Sequence, residues 1–203
     1  MPTTNLDETS IQILNAASER FLHYGYGKTT MSEIAKDCGM STGNLYRFFP
    51  SKLHIAEKFV QVLRRDHVAQ LQAIADQDGV SAPEQIRAFM KLKMRLSYDR
   101  FHDNPKAYEL SLSLMAERPN IADEWESAEA VVLGEILEKG NKDGCLVIRD
   151  PARNTRTLQD AVHKFTSPTI IHEGEFDELS DELDAVIDVL LDGFRWRAAE
   201  RTA

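Results

Sequence analysis

Apolar residues recur at helical spacing along most of the chain, and the alternation typical of β-strands is nearly absent. Ile11, Leu14 and Phe21, for example, fall on one face of a helix predicted over residues 6–24. The short run CLVI at residues 145–148 is the one stretch that looks β-like. The pattern therefore predicts an all-α protein of about nine helices.

Capping patterns mark where several of these helices begin. In three places a short polar residue is followed three positions later by glutamate, as in a capping box: Asn5 and Glu8, Thr30 and Glu33, Ser81 and Glu84. With the glycines and prolines as ends, the predicted helices span residues 6–24, 31–37, 42–48, 51–77, 81–101, 104–118, 120–140, 151–165 and 177–198. The last of them carries a broad apolar stripe, which predicts either core packing or a seam between two helices.

The stretch TTMSEIAKDCGMSTGNLYRFF has the spacing of a helix-turn-helix. Met31 and Ile34 face inward on its first short helix, and Gly39 supplies the left-handed backbone of a sharp turn. Leu45 and Phe49 stand at i and i+4 and anchor the second helix to the first. The second helix is then free to present its N-terminal residues to the major groove of DNA.

The other side of the second helix is small, polar, aromatic and basic. The alternative, a helical hairpin packed into a larger core, does not explain that composition. Phosphate contacts are expected from Thr29, Thr30, Tyr46 and Lys52. Base edges are expected to meet Thr42, Gly43, Asn44 and Arg47, with Gly43 allowing close backbone approach. The whole candidate DNA-binding set is Lys28, Thr29, Thr30, Ser41, Thr42, Gly43, Asn44, Tyr46, Arg47 and Lys52.

Charge is distributed unevenly along the chain. The net charge is −9, yet residues 1–55 hold five basic and five acidic side chains, and residues 25–54 hold four basic against two acidic. The acidic excess therefore lies entirely beyond residue 55. A locally basic segment on an acidic body fits a small nucleic-acid-binding module attached to a separate domain.

Other chemical motifs are absent or incomplete. GYGKTT at residues 25–30 contains Gly-Lys-Thr, but a phosphate-binding loop needs glycine five residues before Gly27, where Leu22 stands. The sequence has no HExxH or GxSxG motif, and none of its six histidines is paired at i,i+4. Cys38 and Cys145 are the only cysteines, so neither a disulfide nor a zinc framework is expected. We predict no catalytic residues, no metal and no cofactor.

The sequence also predicts where the protein works. The hydrophobic fraction is 42%, and no apolar run approaches the roughly 20 residues needed to span a membrane. MPTTNLDETS lacks the basic start and apolar stretch of a signal peptide. A cytoplasmic protein without membrane association is expected.

Residues 11–59 resemble the TetR family of bacterial transcriptional regulators, over about a quarter of the chain. The specific part is the run S-x-G-x-L-Y-x-x-F-x-x-K, and the departures, Cys38 and Met40, lie off the predicted DNA face. The resemblance implies a DNA-binding domain at 1–50 and a helical ligand-binding and dimerisation domain at 51–203. It also implies a homodimer formed through the last two long helices, and repression relieved by a small ligand.

The implied effector and dimer sites fall on apolar residues of the C-terminal helices. Candidates for a pocket wall are Phe89, Met90, Met94, Tyr98, Phe101, Leu112, Met115, Trp125 and Phe165. Their composition favours an apolar or aromatic effector, while the basic series Arg87, Lys91 and Arg95 leaves an anionic one open. Candidates for the dimer seam are Leu158, Val162, Leu183, Ile187, Leu190, Leu191 and Phe194.

These observations favour a dimeric, ligand-responsive repressor that binds a palindromic double-stranded DNA operator. Its small-molecule effector is not identified by the sequence. An activator of the same family and a helical protein-interaction module remain alternatives. A helical enzyme is disfavoured because the C-terminal region shows no convergent polar chemistry.

Overall fold

The computed structural model describes residues 6–171 and 174–200, with side chains described as far as residue 193. The predicted all-α class is confirmed. The α-helices are α1 (Glu8–Tyr24), α2 (Met31–Asp37), α3 (Thr42–Phe48), α4 (Lys52–Ala75), α5 (Ala82–Phe101), α6 (Pro105–Glu117), α7 (Ile121–Lys142), α8 (Pro151–Ala161), α9 (Pro168–Ile171) and α10 (Phe176–Glu200).

The boundaries follow the local signals closely. Thr30 and Glu33 form the predicted capping box at the start of α2. At α1 the cap is Asp7, which accepts a hydrogen bond from the Ser10 N–H at 2.6 Å, and Asn5 lies outside the described residues. The count of nine missed the four-residue α9, which is too short to show helical periodicity. Residues 145–148 form no strand.

The chain forms two compact units. The N-terminal unit comprises Met1–Arg65 and Asn104–Ile121, and the C-terminal unit comprises Asp66–Asp103 and Ala122–Ala203. The first half of α4 and all of α6 therefore belong to the N-terminal unit, which is larger than the predicted 1–50. The functional division at residue 50 remains a prediction.

The N-terminal unit is organised around a core that joins the helix-turn-helix to α1, α4 and α6. Phe21, Ile34, Leu45 and Ile55 are fully buried there. Leu110, from α6, packs into the same cluster. Because α6 comes from far along the chain, its place in this core is a tertiary feature that the local sequence pattern did not predict.

The C-terminal unit packs α5 against α10 and buries the apolar faces of both. Phe89 and Leu183 are both completely buried. Outside the core, Arg87 forms ion pairs with Asp184 and Asp188, and the Lys91 ammonium lies 2.7 Å from Asp184. Within the described part of the chain, no helix is long and apolar enough to cross a membrane.

Candidate functional sites

Gly39 makes the turn between α2 and α3, as the sequence predicts. Its φ is +66°, and an added Cβ would meet no atom within 4 Å, so backbone conformation alone demands glycine. The Gly39 N–H donates to Lys36 O at 3.0 Å, and the Met40 N–H donates to Ala35 O at 2.9 Å. This pair of bonds is a Schellman motif, which ends α2 and sets the direction of α3.

Helix α3 has a buried back and an open front. Leu45 is fully buried and Phe49 nearly so, which ties the helix to the core. Tyr46 is 51% exposed and Arg47 is also exposed. The Ser41 hydroxyl accepts a hydrogen bond from the Asn44 N–H at 3.2 Å and caps the helix start. The predicted anchors and the predicted outward residues therefore lie on opposite sides of one short helix.

Gly43 lies at the start of that open front. An added Cβ at this position would meet no atom within 4 Å, and its φ is not positive. Neither the turn geometry nor internal packing therefore requires glycine here. Thr42 and Asn44 beside it are half-buried, and the Asn44 amide lies 3.9 Å from the Met40 sulfur.

The two threonines expected at phosphates make hydrogen bonds within the protein, and their phosphate contacts stay predictions. Thr29 is only 2% exposed, and its hydroxyl donates to Gly25 O at 2.9 Å. The Thr30 hydroxyl donates to Glu33 at 2.8 Å within the capping box. Lys28, next to them, is exposed. Sequence spacing placed all three near DNA but did not reveal which side chains the turn would use internally.

Thr29→Val should lower the free energy of unfolding by about 1–2 kcal/mol, because a buried hydrogen bond is lost and Gly25 O is left unpaired. DNA affinity should stay close to the parental value, since the buried Thr29 hydroxyl is turned to Gly25 O. Urea denaturation and DNA-binding titrations measure the two effects. Thr42→Val is the matched control, with parental stability and altered DNA binding expected, because Thr42 is expected at a base edge. A folded Thr29→Val chain that binds DNA clearly more weakly than the parent would support a phosphate contact from Thr29.

Lys52 is partly committed to the protein itself. Its ammonium donates to Tyr26 O at 2.6 Å and lies 4.3 Å from the centre of the Tyr26 ring. Burial lowers the pKa of Lys52, against the opposing effect of Glu117 and Glu109. Lys52 thus joins the start of α4 to the turn after α1, and a phosphate contact from it stays a prediction.

Helix α6 holds the turn after α1, a contact that sequence analysis missed. The Glu109 carboxylate accepts a hydrogen bond from the Gly27 N–H at 3.4 Å and pairs with Lys106 at 2.8 Å. A Cβ on Gly25 would lie 2.9 Å from that carboxylate, so the two helices approach closely. Burial, and then the Glu117 carboxylate, raises the pKa of Tyr26 to about 12. No local pattern marked these residues, because their partners are some 80 positions away.

Most of the candidate pocket residues lie in the C-terminal unit, but not all. Phe89, Met90, Met94, Phe101 and Phe165 are buried, and Tyr98 and Trp125 are half-buried. Leu112 and Met115 lie on exposed positions of α6 in the N-terminal unit. A cleft of about 380 Å³ is lined by Lys91, Leu92, Met94, Arg95, Phe176 and Ser180. Of the nine candidates, Met94 is among its lining residues.

The three basic side chains of α5 contact carboxylates or an aromatic ring of the same chain. Arg87 and Lys91 pair with aspartates of α10. The Arg95 guanidinium lies 3.5 Å from the centre of the Phe176 ring, and Asp99 is 3.9 Å away. These three side chains are therefore already engaged, which weakens the hypothesis that they hold an anionic effector.

Four ionisable side chains and one tryptophan lie together in the C-terminal unit, and we call them the charge cluster: His67, Lys93, Arg100, Trp125 and Glu129. The Glu129 carboxylate, 1% exposed, lies 2.7 Å from the Lys93 ammonium and 3.0 Å from His67 Nε2. It also accepts a hydrogen bond from the Trp125 indole at 2.9 Å. The Arg100 guanidinium lies 4.8 Å from the centre of the Trp125 ring.

The charge cluster was not predicted from the sequence, although the sequence carries a signal of it. Lys93 stands on the apolar face of α5 beside Met90 and Met94, and Glu129 precedes Val132 and Leu133 on the buried face of α7. A charge at a core position of a helical pattern requires a buried partner. Among the described residues, no group of three or more His, Cys, Asp or Glu side chains is placed to hold a metal ion.

The predicted dimer seam stays a prediction, and most of its residues are already buried within a single chain. Five of its residues are between 0% and 5% exposed and pack inside their own chain: Leu158, Val162, Leu183, Ile187 and Leu191. A side chain already buried has no area left for a partner. Leu190 is half-buried, and the side chain of Phe194 lies outside the described residues. On α10 the outward apolar residue is Val189, which is 74% exposed.

Comparisons with known families cover most of the chain. Residues 13–58 match the model for bacterial regulatory proteins of the tetR family. Residues 82–187, about half of the chain, match the model for the tetracyclin repressor-like C-terminal domain. The two matches fall on the helix-turn-helix with its supporting helices and on the C-terminal helices.

Individual relatives agree with these matches. The chain is 31% identical to the transcriptional regulator RutR of Escherichia coli over 146 residues, which is 68% of this chain and 65% of RutR. It is 31% identical to the transcriptional activator FasR of Mycolicibacterium smegmatis over 144 residues, or 71% of this chain and 61% of FasR. The chain thus spans slightly less than two thirds of these relatives. The crystal structure of a TetR/AcrR-family regulator from Thermobifida fusca has the same fold, with a TM-score of 0.69, 24% identity and coverage of 93% of this chain and 99% of that one.

Proposed function

The chain belongs to the TetR family of bacterial transcriptional regulators, and on that premise we propose that it binds an operator in DNA as a homodimer. In this proposal α3 enters the major groove. The family is one of regulators and not of enzymes. The alternative of a helical protein-interaction module predicts no sequence-selective DNA binding.

The observation that carries the proposal is the two-sided construction of α3. Leu45 and Phe49 lock its back into the core, while Gly43, Tyr46 and Arg47 are exposed on the front. A rigid helix with a small, polar and basic outer face suits a groove lined by base edges and phosphates. Lys28 adds an exposed cation near the start of α2.

The proposal is tested by selecting binding sites from random double-stranded DNA with the purified full chain. We expect a palindromic site whose half-sites are one helical turn, or a multiple of it, apart. Affinity for that site should fall with salt, with a log–log slope of about −0.9 per phosphate contact. Enrichment of no site, with affinity independent of sequence, would reject the operator-binding function.

We propose that the regulator is a repressor, as the family resemblance implies, and that an effector relieves repression. Among the relatives, FasR is an activator, which keeps activation as the alternative. Deleting the gene and following a reporter placed behind the selected operator decides it. A rise in transcription supports repression, and a fall makes the protein an activator.

Dimerisation is proposed to use the outer face of α10. Val186, Val189 and Leu190 stand at i, i+3 and i+4 and form one apolar strip, half-buried at its edges and open at Val189. A two-fold dimer matches a palindromic operator, because each copy presents one α3 to one half-site. This strip replaces the buried residues of the predicted seam.

Val189→Asp should raise the dimer dissociation constant by about a hundredfold or more, because a charge would be buried without a partner at the centre of the seam. The molar mass measured by light scattering over a dilution series reports the change. Ile11→Asp is the control, since Ile11 is also an exposed apolar residue, at 46%, but on α1. A Val189→Asp variant that stays dimeric at the parental concentrations would place the seam elsewhere.

Regulation is proposed to run through α4, which spans both units, and through α6, whose flanking segments on both sides belong to the C-terminal unit. Helix α4 begins in the N-terminal unit at Lys52 and ends in the C-terminal unit at Ala75. Helix α6 contacts the turn after α1, where the Glu109 carboxylate accepts a hydrogen bond from the Gly27 N–H. An effector that favours one orientation of α4 or α6 would move α3, and only by as much as its affinity differs between the two orientations.

A further inference from the structure

The charge cluster holds more positive than negative charge. Glu129 is its one carboxylate, while Lys93 and Arg100 are both cations. Lys93 and His67 both contact Glu129, so that carboxylate is already occupied. In the interior of a protein an uncompensated charge is costly.

Arg100 is the cation without a counter-ion. Among the described residues no carboxylate forms an ion pair with it, and its guanidinium lies over the Trp125 ring at 4.8 Å. Burial lowers the pKa of Arg100, and the field of Glu129 only partly offsets that effect. An arginine nevertheless keeps its proton in proteins, so the cluster keeps a positive charge that an anion would complement.

The charge cluster also contains a buried ring nitrogen without a hydrogen-bond partner among the described residues, and two side chains that are partly exposed to solvent. His67 is 2% exposed, and its Nδ1 has no hydrogen-bond partner among the described residues. Arg100 and Trp125 are half-buried. A ligand arriving at these two side chains would meet the unpaired guanidinium first.

We propose that the charge cluster binds the carboxylate of a small organic acid, and that this acid is the effector of the regulator. The inference rests on the proposed function for its regulatory part, but the binding itself does not. A carboxylate matches the planar fork of Arg100 and forms two parallel charge-assisted hydrogen bonds with it. It also brings the cluster to charge balance.

The rest of the acid should be apolar. Lys93 is flanked on the buried face of α5 by Phe89, Met90 and Met94, which are at most 2% exposed. These side chains offer no hydrogen bonds to a polar ligand. An acid that enters beside them would meet apolar atoms, so the effector class proposed is an aliphatic or aromatic monocarboxylate.

The test uses the full chain with Trp196→Phe, so that Trp125 is the only tryptophan. Sodium hexanoate and sodium benzoate are titrated at constant ionic strength against hexanamide and benzamide, which match them in shape but carry no charge. We expect at least one acid to change Trp125 fluorescence and raise the melting temperature, with its amide much weaker. If both acids do no more than their amides, the proposal is overturned whether or not any variant folds.

Two matched variants locate the site. Arg100→Gln should weaken acid binding about tenfold to a hundredfold, through loss of charged hydrogen bonds. Arg95→Gln removes the same charge from the same helix outside the cluster and should leave binding unchanged. Equal affinities in the two variants would overturn the assignment to the cluster.

DNA binding separates this inference from the proposed function. Loss of operator affinity on adding the acid supports the effector role. Acid binding with unchanged operator affinity keeps the carboxylate site and overturns its role as effector site. Selective operator binding by a chain that ignores both acids leaves the proposed function intact and removes the inference.

Discussion

Replacing Glu129 by alanine is expected to lower the free energy of unfolding by about 3–5 kcal/mol, the usual cost of breaking a buried ion pair from one side. The change leaves Lys93 and His67 without the carboxylate they contact at 2.7 and 3.0 Å. It also removes the acceptor of the Trp125 indole. Urea denaturation followed by fluorescence measures the loss, with both chains carrying Trp196→Phe so that Trp125 is the only tryptophan.

Glu138→Ala is the control for this experiment, because Glu138 is exposed on the same helix, and an effect within about 0.5 kcal/mol is expected there. The double change Lys93→Met with Glu129→Leu should recover part of the loss, since it removes both charges of one pair. Equal stability of Glu129→Ala and Glu138→Ala would mean that the cluster does not stabilise the C-terminal unit.

The same residue gives the cluster a defined pH dependence. Burial alone raises the pKa of Glu129, but the hydrogen bond from His67 and the charge of Lys93 outweigh it and hold the pKa below its ordinary value. A lowered pKa in the folded state means that the stabilisation is complete above the unfolded-state value of about 4.3. It is lost as the pH falls from there through the lowered pKa. The stability difference between the parent chain and Glu129→Gln should therefore shrink only in acid.

Gly43→Leu is expected to reduce operator affinity by about a hundredfold or more without destabilising the protein. The folded chain has open space at this position, and replacing a helical glycine gains up to about 1 kcal/mol. In the proposed complex, however, the added side chain stands between the α3 backbone and the base edges. Each base contact it displaces costs about 1–3 kcal/mol. Fluorescence anisotropy with the selected operator and a thermal melt measure the two effects.

Ala73→Leu controls for the added surface leucine, since Ala73 is an exposed helical position on α4 in the C-terminal unit. It should bind the operator as the parent chain does. A Gly43→Leu variant with parental operator affinity would show that α3 does not approach DNA through its N-terminal turn. A large drop in its melting temperature would instead mean that the space at Gly43 is not free.

The helix-turn-helix was predictable because its signals are local. Gly39 needs a left-handed backbone, Thr30 and Glu33 cap α2 within one turn, and Leu45 and Phe49 repeat at helical spacing. Each of these contacts spans no more than a few residues. The same locality explains why the predicted bounds of α2 and α3 agree with the structure.

The sequence did not show which polar side chains are already engaged within the protein. The Thr29 hydroxyl donates a hydrogen bond to Gly25 O. The Lys52 ammonium donates to the carbonyl oxygen of Tyr26, which is 26 residues earlier in the chain. Arg87 finds its acids 97 and 101 residues away on α10. Composition alone could not separate these engaged groups from groups available to a ligand.

The sequence by itself determined the helical class, the position of the helix-turn-helix and which face of each helix is apolar. These follow from the 3.6-residue period, from capping and from the few residues that tolerate a left-handed turn. Only the tertiary structure decided what each apolar face meets. Leu183 and Ile187 belong to a stripe that fits a dimer seam equally well, yet they pack within their own chain and leave Val189 outside. Packing and charge pairing depend on segments that are far apart along the chain. The periodic pattern of a helix does not show which other segment its apolar face contacts.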